Sequence, residues 1–376
     1  MDNRYSTDRL TVVQMLPALS SGGVERGTVD LSKYLVENGH RSIVIAKPGA
    51  MADELLSNGA ELIPWPVGHK SLLTFRFIFK VRSLLLDENV DILHLRSRLP
   101  AWIGYLAWKL INPGVRPRLV TTVHGPYSVN HYSAVMTKGE RVIAVSDMIK
   151  QYVLSNYPRV DPSVLSVIHR GVSSENFIKG YTPTAAWTSS WYEQYPETRG
   201  KRLLTMPGRL TRWKGQIDFI TAFAQVSKEC ADVHGVIVGG YDERRKPYVS
   251  ELQDLVMQLG LKNKITFTGV RHDLKEIMSI SEITYSLSTE PEAFGRTSLE
   301  SLMLGVPVIA YSHGGVKEQM EEMLPNGQIE LGNIEELVKK TSAFLLKKQN
   351  VKSSKAFELD GMLSKTLDVY KSLTIN

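Results

Sequence analysis

Short runs of Val, Ile and Leu alternate along this chain with longer segments whose apolar residues recur at the helical period. In the first half the apolar runs are LTVVQMLP, RSIVIA, DILHL, RLVTTVH and RVIAVS. In the second half they are RLLTMPG, VHGVIVGG, KITFTG, EITYSLS and VPVIAYS. Apolar strands separated by amphipathic helices are typical of βαβ units around parallel sheets. The pattern therefore predicts an α/β protein.

The alternation is interrupted between about Phe177 and Lys201, where Pro, Gly, Thr and aromatic residues mix. A chain of 376 residues is long enough for two domains. We therefore expect two open parallel sheets that face each other across a cleft. The expected division is a first domain (1–178), a connection (179–200), a second domain (201–355) and a C-terminal helix that crosses back to the first domain (356–376).

Composition excludes several classes of protein. A content of 43% hydrophobic and 22% charged residues is that of a soluble globular protein, which argues against a disordered or fibrous chain. The net charge of +6 suits a phosphate-bearing ligand or an anionic membrane, but an ordinary basic surface explains it equally well. The single Cys230 excludes an internal disulfide, and the first residues show no signal pattern. The expected location is cytoplasmic, with peripheral membrane contact left open.

Ligands of open parallel sheets bind at the carboxyl ends of the strands. In LSSGGVER, Gly22 and Gly23 follow the first strand and begin a helix, where the backbone can approach a phosphate or a sugar. Plain turn chemistry explains this pair about as well. His124 stands at the end of another strand, in TTVHGPY, and is a candidate for the site in the cleft.

The first strand of the second half is followed by a basic loop, in MPGRLTRWKGQ. Arg209, Arg212 and Lys214 precede a helix that is expected to start near Gly215. Cations beside a helix N-terminus are unfavourable unless an anion lies between them, so a diphosphate is one explanation and a solvated basic loop is the other. Glycines at strand ends, among them Gly208 and Gly239, would allow close approach of a ligand.

Two glutamates occur in STEPEAFGRTSLES, within an apolar region. If residues 296–304 form a helix, Glu292 lies in the preceding loop and Glu300 lies just over one turn inside, so both can face one pocket. A carboxylate that accepts two hydroxyl hydrogen bonds can hold a sugar, whereas a carboxylate pair can also perform glycoside hydrolysis. The nearby cations favour the combination of phosphate and sugar.

The motifs GGVER, VHG, AVS, PGRLTRWKGQ, STEPEAFGRTSLES, GVPVIA and GGVKE, in this order, resemble glycosyltransferase family 4. The resemblance covers nearly the whole chain and is strongest to bacterial enzymes of lipopolysaccharide or surface-polysaccharide assembly. It implies the GT-B fold, two Rossmann-like domains, and retaining transfer from a nucleotide sugar. Two positions depart from the family pattern: Arg170, where many relatives have Asn, and Ser301, where Ala is usual.

The resemblance also implies roles for individual residues. Arg209 and Lys214 would hold the donor diphosphate, Glu300 the ribose hydroxyls and Glu292 the donor sugar. His124 would lie near the transferred sugar. The remaining donor-binding positions would act through backbone groups: Gly22, Gly23, Gly208, Gly239, Phe294, Gly295 and Arg296.

The resulting expectation is a hexosyltransferase that uses a nucleotide sugar, most simply a UDP-sugar, and a saccharide or lipid-linked saccharide acceptor. We expect no metal, because no Asp-x-Asp signature is present. We also expect no cofactor, since the nucleotide sugar is a co-substrate, and no nucleic-acid partner. Alternatives are a nucleotide-sugar epimerase or a non-catalytic nucleotide-sugar binding protein. A dinucleotide dehydrogenase has little support, because LSSGGVER is not G-x-G-x-x-G.

A basic and aromatic segment at residues 69–86, HKSLLTFRFIFKVRSLLL, carries Lys70, Arg76, Lys80 and Arg82 among large apolar residues. This composition suits contact with an anionic membrane. A core helix with basic flanks is the favoured alternative.

Overall fold

In this computed structural model, which describes residues 9–20 and 22–374, the chain divides into two units. The first unit comprises Met1–Arg170 and Asp360–Asn376, and the second comprises Gly171–Leu359. Residues 179–200, which the sequence suggested as a connection, lie within the second unit.

The first unit contains a parallel sheet in the order β3-β2-β1-β4-β5-β6-β7. Its strands are β1 (Thr11–Ala18), β2 (Arg41–Lys47), β3 (Glu61–Ile63), β4 (Ile92–Leu95), β5 (Arg118–Val123), β6 (Arg141–Ala144) and β7 (Leu165–Val167). All four residues of β4 are buried, which explains why this strand is a continuous apolar run with one histidine. The strand order reverses direction beside β1, where ligands of such sheets bind.

The helices of the first unit that precede the second are α1 (Gly23–Glu37), α2 (Ala52–Ser57), α3 (Phe77–Asp87), α4 (Arg98–Lys109) and α5 (Asp147–Asn156). The helix α1 buries one apolar stripe that includes Val29, Leu31 and Leu35. It is followed by Gly39, whose φ of 81° lies in the left-handed region. Glycine tolerates that conformation, so the helix stops here as the sequence predicted.

The second unit contains a parallel sheet in the order β10-β9-β8-β11-β12-β13. Its strands are β8 (Arg202–Pro207), β9 (Val233–Val238), β10 (Ile265–Gly269), β11 (Ser281–Ser286), β12 (Val308–Tyr311) and β13 (Gln328–Ile329). Its helices are α6 (Ala185–Gln194), α7 (Gln216–Glu229), α8 (Lys246–Gln258), α9 (Leu274–Ser279), α10 (Arg296–Met303), α11 (Gly314–Met323) and α12 (Ile334–Leu346).

The helix α6 packs onto the second sheet through Trp191, which is 1% exposed. Trp191 lies in a cluster with Leu203 of β8 and Val236 of β9, and its Nε1 group donates to Thr198 at 3.0 Å. This burial anchors α6 to the second unit.

The last helix, α13 (Leu359–Thr374), contributes Tyr370 to the first unit. The Tyr370 hydroxyl lies 2.6 Å from Nδ1 of His94 on β4, and both side chains are buried. Burial lowers the pKa of His94 well below its ordinary value, so this histidine is neutral.

The strands β3, β7 and β13, each of which has two or three residues, were not predicted from the sequence. Runs of this length are too short for a periodicity signal. Among the described residues, no helix combines the length and the apolar character needed to cross a membrane.

Candidate functional site

The loops after β8 and β11 bring Lys214 and Glu292 into contact. The Lys214 Nζ group lies 2.8 Å from Oε1 of Glu292, and the two side chains are 14% and 16% exposed. The same carboxylate oxygen accepts a hydrogen bond from Ser288, and the backbone N–H of Thr289 donates to Trp213 at 2.7 Å. Lys214 and Glu292, 78 positions apart in sequence, therefore form a partly buried ion pair at the sheet edge.

Gly215 is required where the basic loop meets the loop after β11. Its φ is 81°, and a Cβ atom here would lie 2.0 Å from the carbonyl oxygen of Leu287. Any other residue would separate the loops that carry Lys214 and Glu292.

The glycine pair of GGVKE contacts the backbone of Glu292. The Gly315 N–H group donates to the Glu292 carbonyl at 2.8 Å. A Cβ atom on Gly314, whose φ is 64°, would lie 2.7 Å from that same carbonyl. The contact requires a residue without a side chain, which explains why Gly314 is a glycine.

Gly208 and Gly239 lie side by side at the carboxyl ends of β8 and β9. A Cβ atom on Gly239 would lie 2.0 Å from the Gly208 carbonyl oxygen. At least one of the glycines at these strand ends is therefore needed because two loops pack closely there. This structural reason was not considered when the glycines were predicted to allow close approach of a ligand.

Glu300 lies on α10 and is 8% exposed. Arg296, one turn earlier, donates from Nε to the Glu300 carboxylate at 2.7 Å. Burial raises the pKa of Glu300, and the Arg296 guanidinium opposes this shift. The partly satisfied carboxylate is suited to accept hydrogen bonds from hydroxyl groups.

The N-terminus of α10 presents free backbone donors beside these carboxylates. Its cap residue, Gly295, has φ 85° and supplies no side-chain hydrogen bond. The Phe294 side chain is 5% exposed in the domain core, and the Phe294 carbonyl accepts a hydrogen bond from Gln319. The contribution predicted for Phe294, Gly295 and Arg296 can therefore come from backbone N–H groups, which favour negative charge.

Arg209 and Arg212 differ sharply although both lie in the basic loop. Arg212 pairs with Glu251 through two hydrogen bonds and stacks on Tyr248. Arg209 is exposed and forms no ion pair within the described part of the chain. Its backbone carbonyl accepts a hydrogen bond from Gln216 at 3.1 Å, which fixes the loop. Arg209 is therefore available for an anion, whereas Arg212 is already engaged.

In the first unit, His124 follows β5 and its Nδ1 atom lies 2.7 Å from Nη2 of Arg170. A guanidinium group can only donate, so Nδ1 accepts and the ring proton resides on Nε2. Burial, together with the charge of Arg170, lowers the pKa of His124 well below its ordinary value. The Nε2 atom is buried and contacts no acceptor among the described residues. His124 is thus neutral, and its Nε2–H group is available as a hydrogen-bond donor.

Gly22 and Gly23 stand at the start of α1, as predicted. A Cβ atom on Gly22 would lie 2.5 Å from a carboxylate oxygen of Glu25, whereas nothing approaches Gly23 within 4 Å. An acidic group thus lies beside the pair in this conformation. A phosphate at Gly22 would require the Glu25 side chain to move.

The structure also reveals polar residues that the sequence analysis missed. Ser288 and Gln319 hold the loop around Glu292, and Arg96 is buried at the carboxyl end of β4. An arginine directly after a fully buried strand, as in DILHLR, is the signal that could have identified Arg96.

Comparisons with known proteins agree with this architecture. The family model "Glycosyltransferase Family 4" matches residues 21–176, and "Glycosyl transferases group 1" matches residues 189–358. A glycosyltransferase structure from Rickettsia africae shares 31% identity, covers 98% of this chain and 100% of its own, and has a TM-score of 0.85. The chain belongs to glycosyltransferase family 4. The prediction of the family and of the GT-B fold is confirmed.

Other relatives are more distant. The N-acetyl-alpha-D-glucosaminyl L-malate synthase of Bacillus anthracis is 24% identical over 81% of this chain and 79% of its own. The structure of Anabaena Alr3699/HepE in complex with UDP and glucose is 22% identical, covers 96% of this chain and 100% of its own, and has a TM-score of 0.79. The chain is thus a glycosyltransferase with the GT-B fold.

Proposed function

We propose that this glycosyltransferase moves a hexose, with retention of configuration and without a metal, from a UDP-sugar to a saccharide or lipid-linked saccharide acceptor. The pathway that we propose is lipopolysaccharide or surface-polysaccharide assembly. The contact between Lys214 and Glu292 carries the donor assignment, because it places a cation for the diphosphate next to a carboxylate for the sugar. The related Anabaena protein forms a complex with UDP and glucose, which favours uridine as the donor base.

The diphosphate would lie between Lys214, Arg209 and the free N–H groups at the start of α10. As the bond to the sugar breaks, negative charge develops on the leaving diphosphate while the sugar becomes oxocarbenium-like. Preorganised cations and backbone donors stabilise that charge, and losing one such donor typically costs about 2.7–4 kcal/mol of transition-state free energy. These groups provide the stabilisation without a metal ligand set.

The two carboxylates would then have separate tasks. Glu300 would accept hydrogen bonds from the ribose hydroxyls, because it is buried one turn inside α10 and is oriented by Arg296. Glu292 would accept from the transferred sugar through its second oxygen, because Lys214 and Ser288 both donate to Oε1. His124, with its proton on Nε2, would donate to a sugar hydroxyl without taking part in proton transfer. These roles follow the family resemblance and the observed contacts.

A panel of UDP-, GDP- and ADP-sugars tests the proposal. We expect one UDP-sugar to raise the melting temperature and to be hydrolysed slowly without an acceptor, with and without EDTA. Lys214→Ala should strongly reduce both effects, whereas the matched control Arg212→Ala should preserve them. NMR analysis of the anomeric configuration of the product would test retention. Interconversion of the donor sugar without release of nucleoside diphosphate would instead support an epimerase.

The basic and aromatic segment supports peripheral contact with an anionic membrane, where a lipid-linked acceptor would be presented. Residues Leu72–Arg76 form a short 3₁₀ helix that continues into α3. Leu72, Leu73 and Phe79 are 87%, 72% and 68% exposed, respectively. The same segment buries Phe77, Val81 and Leu85, so α3 has a core face as well as an exposed apolar patch.

The four cations of this segment are not equivalent. Lys70, Arg76 and Lys80 are exposed around the patch, whereas Arg82 donates to the Leu110 carbonyl at 3.1 Å. Apolar side chains ringed by exposed cations suit anionic lipid headgroups. Co-sedimentation with phosphatidylglycerol-containing vesicles should decrease when the three exposed cations are replaced by Gln. Unchanged binding in that variant would contradict the membrane contact, and Arg141→Gln provides a control with the same kind of charge change.

A further inference from the structure

Arg96, at the carboxyl end of β4, carries a buried charge that no direct contact with another described residue neutralises. The residue is 3% exposed, its Nη1 group donates to Oε1 of Gln14 at 2.7 Å, and its buried Nε group contacts no acceptor among the described residues. Burial lowers the pKa of Arg96 to about 10, and Tyr370, Asp30 and Glu25 oppose this shift only through longer-range charge interactions. A neutral amide does not compensate for burial of a guanidinium charge, so this position favours an added anion.

The orientation of Arg96 is fixed by a buried polar chain. Gln14 on β1 is fully buried, and its Nε2 group donates to the Ser32 hydroxyl of α1 at 2.9 Å. The Ser42 hydroxyl on β2 donates to the same Ser32 oxygen at 3.0 Å. Because Gln14 engages Nη1, the edge formed by Nε and Nη2 remains available. Its two parallel N–H groups match the two oxygens of a carboxylate or a phosphate.

A second guanidinium group converges on the same point. A Cβ atom on Gly27 of α1 would lie 2.3 Å from Nη1 of Arg170 and 3.4 Å from Nη2 of Arg96. Both arginines and Gly27 line one cavity, together with His94 and Thr122. An oxyanion at this point would contact both guanidinium groups. Gly27 provides the space because it lacks a side chain.

We propose that Arg96 and Arg170 form a site in the first unit for a compact oxyanion, a carboxylate or a phosphate group that the acceptor carries. The assignment of this anion to the acceptor rests on the proposed transfer reaction, whereas the binding site itself does not. The site would select acceptors that carry such a group over neutral sugars.

Titration of the complete protein with succinate and with inorganic phosphate, against chloride at equal ionic strength, tests the site. We expect either oxyanion to raise the melting temperature beyond the effect of chloride. Arg96→Gln should weaken oxyanion binding by about tenfold or more, since it removes a charge-assisted hydrogen-bond pair. The control Arg26→Gln, which removes an arginine that already pairs with Glu54, should bind like the native protein. Succinate binding alone would identify a carboxylate site, and phosphate binding alone would identify a phosphate site.

Gly27→Ala is a second test of the site that does not depend on whether the Arg96 variant folds. It fills the space between the guanidinium groups while both charges remain. It should also weaken oxyanion binding. Native affinity in both variants, or no oxyanion effect beyond that of chloride, would overturn the site. A parallel titration with UDP separates the two proposals: UDP binding without oxyanion binding would refute only this site. Oxyanion binding that depends on Arg96, without UDP binding, would refute only the proposed donor.

Discussion

Replacing Glu292 by Gln should release Lys214 for the donor diphosphate. In the free protein these groups lie 2.8 Å apart, so a diphosphate must draw Lys214 away from a carboxylate or share it. Glu292→Gln keeps the shape of the side chain and removes the charge. We therefore expect nucleoside diphosphate affinity to be unchanged or higher, while turnover decreases.

The magnitude follows from the partial burial of the pair. Exposed ion pairs contribute about 0–1 kcal/mol, whereas removing one partner of a fully buried pair costs about 3–5 kcal/mol. With side chains that are 14% and 16% exposed, this pair falls between those limits, at about 1–3 kcal/mol. If the diphosphate recovers about half of that, its affinity increases by up to about tenfold, since 1.4 kcal/mol corresponds to a factor of ten.

Turnover should respond in the opposite direction. If Glu292 accepts a hydrogen bond from the transferred sugar, that bond strengthens as positive charge develops on the ring and acts mainly in the transition state. Loss of a charge-assisted hydrogen bond of about 1.5–3 kcal/mol would slow transfer by about ten- to a hundredfold. Calorimetric titration with UDP and turnover assays on the same variant measure both effects.

A double-mutant cycle isolates the coupling between the two residues. Lys214→Ala alone should weaken UDP binding by about ten- to a hundredfold, because it removes a cation and leaves the Glu292 charge near the diphosphate. The combined variant should bind UDP more tightly than Lys214→Ala. Glu290→Gln, in the same loop and exposed, is the charge control.

A Glu292→Gln variant that loses as much UDP affinity as Glu300→Gln would refute separate roles and would indicate a joint ribose clamp. Hydrolysis of a simple glycoside by the native protein, abolished in either glutamate variant, would support a glycosidase.

Three further predictions concern Arg209, Glu300 and the histidines His94 and His124. Arg209→Ala should slow transfer by about ten- to a hundredfold, whereas Arg212→Ala should change it little; equal losses in steady-state assays would contradict the assignment within the loop. Glu300→Gln should weaken UDP and the complete UDP-sugar by the same factor, about tenfold or more in calorimetry, because the ribose is common to both. Burial lowers the pKa of His94 and His124 below 6.5, so the unfolded chain binds more protons in acid and stability should decrease as the pH falls below about 6.5. Urea unfolding at pH 7.5 and 5.5 measures that decrease, and replacing both histidines by Gln should reduce it.

The sequence determined the layers of the fold because apolar periodicity is a local property. Ten of the strands were visible as apolar runs, and the end of α1 at Gly39 and the start of α10 at Arg296 followed from local backbone preferences. Family membership was equally accessible, because motifs such as PGRLTRWKGQ and STEPEAFGRTSLES keep their order and spacing. The charged residues at the strand ends could also be predicted from the sequence, because they lie within these motifs.

Tertiary structure alone decided which of these charges meet. Lys214 contacts Glu292 only because Gly215 and Gly314 allow three loops to approach, and Arg212 is engaged by a glutamate that no local pattern connects to it. The neutral state of His124 depends on burial and on Arg170, 46 positions away, which donates to Nδ1. Partners that are distant in sequence determine burial, protonation and the availability of a hydrogen-bonding edge. Such properties arise from long-range packing, which periodicity and spacing along the chain do not encode.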